Sequence, residues 1–135
     1  MEPVSMNYLA VLIAGVAYMA LGALWYSPIL FANAWMKWVG KTKEQVAKDF
    51  KPLNLLWILI LSLVAAYGIA RIMLWAARGS VADGIVIGLL AGVCFVLPSY
   101  GVNDISEKRP LGLTVTNILY HIAGFVVMGI IIGVM

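Results

Sequence analysis

Among 135 residues the chain holds one histidine and one cysteine. His121 lies about ten residues into an uncharged apolar run, roughly 15 Å along a helix at 1.5 Å per residue. Thr114, Asn117, His121 and Gly124 recur at i, i+3, i+7 and i+10, with Tyr120 alongside. On a helix these form one stripe. It must face protein or water, because polar groups left unsatisfied in hydrocarbon are costly. Two roles are open. Asn117 and His121 could hydrogen-bond across helices and fix their register, each bond contributing about 0.6–2 kcal/mol. Alternatively, His121 could relay protons or contact a ligand, since an imidazole changes charge between about pH 5 and 8.

Other chemistry is poorly provided for. One Cys and one His cannot make a four-ligand Cys/His metal site within a single chain. Cys94 has no partner for an intrachain disulfide and reads as inert packing. Nucleophile–base pairs and paired acids are missing, and the carboxylates near span ends, Asp83, Asp104 and Glu107, look unpaired within the bundle. No span interior carries the carboxylate a proton antiporter would want. We therefore expect no catalytic residue, no metal, no cofactor and no enzyme.

A second polar segment reads Leu97-Pro98-Ser99-Tyr100-Gly101-Val102-Asn103-Asp104. Pro98 removes one helical hydrogen bond and clashes with the carbonyl at Cys94, which predicts a kink. Irregular backbone at membrane depth is tolerated where it is buried in protein or lines a cavity. Tyr26, Asn54, Ser99, Tyr100, Asn103, Asp104, Asn117 and His121 then cluster toward one membrane face. They form either a polar vestibule for a ligand or the ordinary enrichment of polar residues at helix ends.

The elements that must position these groups are membrane spans. Hydrophobic residues make up 64% and charged residues 11%, against roughly 25% charged in soluble domains. That excludes a soluble monomer, a disordered tail and a nucleic-acid-binding domain; the net charge of +3 is scattered over short connections. A transmembrane helix needs about 20 mostly apolar residues. Segments at about 7–27, 53–77, 84–102 and 111–135 qualify. The expected fold is all-α: one membrane domain over 1–135, with four transmembrane helices and an interfacial amphipathic helix between the first two. The first span has no basic flank, Glu2 being the only early charge, and is too long for a leader's apolar core, so it should be retained.

Lys37, Lys41, Lys43, Lys48, Lys51, Lys108 and Arg109 fall on one side, and Arg71 and Arg78 on the other. The positive-inside rule then puts both termini outside and the 28–52 and 103–110 connections in the cytoplasm. A dual-topology protein would have nearly equal counts. Arg71 sits close enough to the outer end to snorkel, or to bind an anion.

Within 28–52, Ser27 suits an N-cap and Pro28 the first helical position. Phe31, Trp35 and Trp38 follow at i, i+4 and i+7, with Gly40 as a stop. This predicts an interfacial helix with its aromatic face in the headgroups. Thr42-Lys43-Glu44-Gln45 is a capping box for a second short helix, and Glu44 and Lys48 are an i, i+4 pair. The connection is either a basic anchor to anionic lipid, or a mobile gate or partner site. Membrane helices associate through small residues. Gly84, Gly88 and Gly92 form the leading stripe. Gly15 and Gly22 mark another, flanked by Tyr18 and Tyr26; Ser62, Ala66 and Ala70, and Gly129 and Gly133, mark two more. We expect at least one stripe, Gly84–Gly88–Gly92 first, to join copies in a homo-oligomer; the other reading packs every stripe within one chain.

The elements Asn7-Tyr8-Leu9-Ala10-Val11, Leu21-Gly22-Ala23-Leu24-Trp25-Tyr26-Ser27-Pro28 and Ala34-Trp35-Met36, with Arg109-Pro110-Leu111 and Asn117-Ile118-Leu119-Tyr120-His121, resemble a bacterial membrane-protein family, domain of unknown function 1761. The resemblance spans nearly the whole chain. It implies a small multi-spanning bundle with no assigned activity, and draws attention to Trp25, Tyr26, Ser27, Pro28, Asn117, Tyr120 and His121. The expected function is an oligomeric carrier, channel or binding protein for a small or amphipathic molecule. It would sit in a prokaryotic inner membrane, with the bilayer and a small-molecule or lipid ligand as partners and no nucleic acid. The alternative is a structural or accessory subunit packed on another membrane protein through its glycine faces.

Overall fold

The computed structural model describes residues 5–135; Glu2, used above against a cleaved leader, lies outside them. Seven helices follow in order: α1 (Tyr8–Trp25), α2 (Ala32–Val39), α3 (Lys43–Asp49), α4 (Pro52–Trp75), α5 (Val81–Ala91), α6 (Leu97–Ser106) and α7 (Leu111–Val134). A π-helical turn, Gly92–Val96, joins α5 to α6. Four stretches are long and apolar enough to cross a membrane: Tyr8–Trp25, Pro52–Trp75, Val81–Ser106 and Leu111–Val134. The third is longer than expected at both ends. Ser80 and Asp83 form a capping box that starts it early. Pro98 does not end it either: the Leu97 N–H reaches back to the Gly92 carbonyl, and the widened π turn sits where the proline would otherwise clash.

α7 is the central element and packs on α1, α4, α5 and α6. Small residues set these contacts. Ala10 and Ala14 of α1, and Ser62, Ala66 and Ala70 of α4, are buried. The Ser62 hydroxyl donates to the Ile58 carbonyl 2.7 Å away within its own helix, so it packs without needing a partner across the interface.

The glycine stripe on α5 is filled from within the chain. A Cβ at Gly84 would run into the Gly129 backbone, one at Gly88 into the Phe125 carbonyl, and one at Gly92 into Ile122. Gly15 lies against Leu63, Gly22 against the Tyr120 ring and Gly133 against Ser80. Each of these glycines sits at a close contact within the chain. The subunit contact expected of Gly84, Gly88 and Gly92 is corrected, because α7 already occupies that face.

The connection between the first two spans also departs from expectation. Ser27 does not cap α2; its hydroxyl turns back to the Leu24 carbonyl at 2.6 Å, and the helix starts only at Ala32 after a turn through Pro28. Gly40 ends it in the left-handed conformation (φ 71°). The Thr42–Gln45 capping box forms and starts α3. Lys41, rather than Lys48, makes the ion pair here, with Asp49 at 2.7 Å. The aromatic face of α2 also packs on the bundle. Phe31 packs on Trp25 (5.1 Å between ring centroids), Trp35 meets Tyr26 edge-on (6.4 Å), and Trp38 lies over Gly112. These rings cap the end of the bundle, and each is half-buried by protein.

Candidate functional site

The first half of α7 carries its polar stripe into the interior, where α1 and α6 supply the partners. One ring nitrogen of His121, Nδ1, is hydrogen-bonded to the Tyr18 hydroxyl of α1. The other, Nε2, is 3.0 Å from the Tyr100 hydroxyl of α6. A neutral imidazole has one N–H and one lone pair, so one phenol accepts from it and the other donates to it. The three side chains therefore form a continuous line across three helices. A proton entering at one phenol can leave at the other.

Aromatic packing holds this line in place. The Tyr18 and Tyr120 rings stack with centroids 4.9 Å apart and planes 2° from parallel. The Tyr120 hydroxyl donates to the Tyr18 carbonyl at 2.9 Å. That bond needs the close approach Gly22 allows, because a Cβ there would meet the Tyr120 hydroxyl at 2.7 Å. Gly124, one turn beyond Tyr120, makes room for the Tyr18 ring. Phe125 covers the other edge of Tyr18, with centroids 5.9 Å apart.

Toward the end of the bundle that α2 covers, the Tyr26 hydroxyl donates to Asn117 Oδ1 at 2.6 Å. Trp25 Nε1 donates to the Thr116 carbonyl at 3.1 Å. Beyond these, Asp104 is 7% exposed and accepts from the Thr114 hydroxyl at 2.6 Å. Arg109 Nε lies 3.8 Å from Asp104 and 2.7 Å from Glu107. The Glu107 hydrogen bond and charge, with Asp104 behind them, push the Arg109 guanidinium pKa further up. Among the described residues, no buried side-chain nitrogen or oxygen lacks a partner. No group of three His, Cys, Asp or Glu side chains there could hold a metal ion.

The structure thus brings together Tyr26, Tyr100, Asn117, Tyr120 and His121, with Asp104 next to them. Asn54, Ser99 and Asn103 are corrected: all three are exposed. Asn54 bonds the Asp49 carbonyl at 3.3 Å and Ser99 the Phe95 carbonyl, both local groups. Asp104 is paired within the bundle, contrary to expectation. Around His121 the Tyr18, Tyr120 and Phe125 rings pack closely, with centroids 4.9–6.4 Å from that of the imidazole. Two concavities lie elsewhere, one between α1 and α4 and one along α3, and neither is lined by His121.

One participant and one pairing were missed in the sequence. Tyr18 is the direct partner of His121, yet its phenol looked like a mere flank of the Gly15–Gly22 face. Its signal was the spacing Tyr18–Trp25, i and i+7, which puts both polar aromatic tips on the α1 face that meets α7. Thr114 and Asp104 are ten residues apart across a turn, a pairing that only the turn geometry reveals.

A family model described as Protein of unknown function (DUF1761) matches residues 9–133. No curated protein matches the chain, and no solved structure does.

Proposed function

The chain belongs to the DUF1761 family of proteins of unknown function, and we propose that it is a membrane carrier or binding protein whose working group is His121. The observation behind this reading is that both ring nitrogens are engaged by phenols from different helices, Tyr18 of α1 and Tyr100 of α6. The two contacts differ in how firmly they are held. Tyr18 is buried, stacked on Tyr120 and seated against Gly124. Tyr100 stands on α6, just past the π turn and Pro98, on a segment with an exposed outer face. A small displacement of α6 would release Nε2 while Nδ1 stays bound. A small or amphipathic molecule with a hydrogen-bonding group would then take the place of Tyr100. A carrier reading also includes copies of the chain assembling together, with the contact away from the face that α7 fills.

His121 is the only histidine, so its ring ¹⁵N signals identify themselves in the purified protein. Native mass spectrometry should find a small-molecule adduct that His121→Asn loses, and removing that molecule should shift the ring signals. Adducts unchanged by His121→Asn would overturn the reading. So would ring signals that respond neither to ligand nor to pH between about 5 and 8. A second reading, the accessory subunit, draws support from the complete hydrogen bonding of the cluster, as expected of a purely structural one. The glycine faces being taken, its partner would meet exposed apolar side chains.

The Lys and Arg distribution supports termini outside a prokaryotic inner membrane. Labelling of a cysteine added after Met135, in a Cys94→Ser background, should proceed in intact cells. Labelling only after permeabilisation would reverse the orientation.

A further inference from the structure

A groove of about 470 Å³ runs between α1 and α4, and none of the tyrosine–histidine cluster lines it. Val11, Leu12, Ile60, Leu63 and Val64 line it, with Tyr8 and Tyr67 at one end. From Ile60 to Tyr67 it follows α4 for about 10 Å, at 1.5 Å per residue. Leu12, Val64 and Tyr67 are exposed, so the groove is open along its length.

Its outer end carries a positive charge. Arg71 Nε and Nη2 donate to the Tyr67 hydroxyl at 3.2 and 2.8 Å. Its guanidinium carbon lies 5.3 Å from the Tyr67 ring centroid and 5.9 Å from that of Trp75. Among the described residues Arg71 makes no ion pair. A guanidinium has five N–H donors, so those not used by Tyr67 remain for an anion. Tyr67 and Trp75, at i−4 and i+4, fix the fork at the rim of the groove. The depth order is that of a bilayer lipid: charge and phenols at the span end, aliphatic side chains toward the middle.

We propose that the α1–α4 groove and Arg71 form a site for one phospholipid with a net negative headgroup. One acyl chain lies along Leu12, Ile60 and Val64, and the phosphate meets Arg71. The site is independent of His121. A neutral amphiphile would fill the groove but leave the guanidinium unmatched.

The test is native mass spectrometry of the full chain in micelles with equal phosphatidylglycerol and phosphatidylcholine added. Phosphatidylglycerol adducts should be favoured about three- to fivefold, the upper part of what an exposed charged pair supports. Arg71→Gln should abolish the preference while leaving total lipid bound. Val64→Trp, which fills the groove from an exposed position, should reduce both adducts. Lys37→Gln, at the opposite end of the bundle, should change neither. Equal binding of the two lipids overturns the proposal, as does a preference that survives Arg71→Gln or falls with Lys37→Gln. Should a variant not fold, a phosphatidylglycerol with a photoreactive acyl chain is applied to the unaltered protein. Labels on Leu12, Ile60 or Val64 support the site; labels confined to other faces refute it.

Discussion

The two halves of α7 are held by opposite means. From Phe125 to Gly133 it touches α5 and its cap Ser80 at the backbone, glycine against glycine at Gly84–Gly129, with no side-chain hydrogen bond among the described residues crossing the contact. From Thr114 to His121 it is tied by side chains: Thr114 to Asp104, Asn117 to Tyr26, and His121 to Tyr18 and Tyr100. Lipid tails are as apolar as leucine, so burying carbon gives little drive to helix pairing in a bilayer. The glycine half therefore relies on dispersion at close range, and the polar half on bonds that lipid cannot replace. A backbone contact tolerates no extra atom. A network of side chains can lose a member and rearrange, which is why the functional reading belongs to the polar half.

The largest effect should come from breaking the rigid half. Gly84→Val puts a branched side chain onto the Gly129 backbone, and neither helix backbone can yield locally. Unfolding in mixed micelles should show a loss of about 3 kcal/mol, the upper end for overpacking. The damage should appear as lost folding rather than as a change of oligomer, because this face is internal. A Gly84→Val protein that stays folded while shifting to a smaller species would return the stripe to the subunit-contact role.

Next in size is the polar half at its deepest point. Tyr18→Phe keeps the ring stacked on Tyr120 and removes only the hydroxyl at His121 Nδ1. The loss should be about 1–2 kcal/mol, the range for an interhelical bond in a membrane. The ¹⁵N signal of Nδ1 should move while that of Nε2 stays near its place. Movement of both would mean that Tyr18 and Tyr100 act as one unit rather than as a fixed and a releasable contact.

How much of this was legible depended on the distance over which each signal acts. The spans follow from run length and composition alone, and the boundaries of α4 and α7 lie within about two residues of expectation. The inward turn of Asn117 and His121 followed from the cost of polar groups in hydrocarbon, and Tyr26 and Tyr100 were placed in the same polar cluster. Which small-residue stripe meets which was not legible. Gly84, Gly88 and Gly92 have the same pattern whether they face α7 or a second copy, and only the relative rotation of α5 and α7 decides. Pro98 was placed inside the third span and expected to kink it, but how far the span runs beyond it was not legible. Its local effect is to break a helix, but the π turn at Gly92–Val96 absorbs the missing bond and the span continues to Ser106. The aromatic spacing of Phe31, Trp35 and Trp38 located the helix, while its contacts with Trp25, Tyr26 and Gly112 depend on the turn through Pro28.

The smallest effect is expected at the shallow end of the polar half, where Tyr26→Phe removes one hydroxyl from Asn117. Both residues are half-buried, near the last turn of α1 and below Trp35 of α2. Water that enters beside α2 can replace the lost donor, so the Asn117 amide does not bear the full cost of an orphaned group. The stability loss should be about 0.6 kcal/mol, the mean for such bonds in membrane proteins. A double-mutant cycle of Tyr26→Phe with Asn117→Ala should give a coupling below that of Tyr18→Phe with His121→Asn. The order follows from depth: a bond near water competes with water, and one against Gly124 and Tyr120 does not. Were the shallow pair the more strongly coupled, α2 would be a seal that keeps water out, and the contrast within α7 would no longer follow distance from the membrane surface.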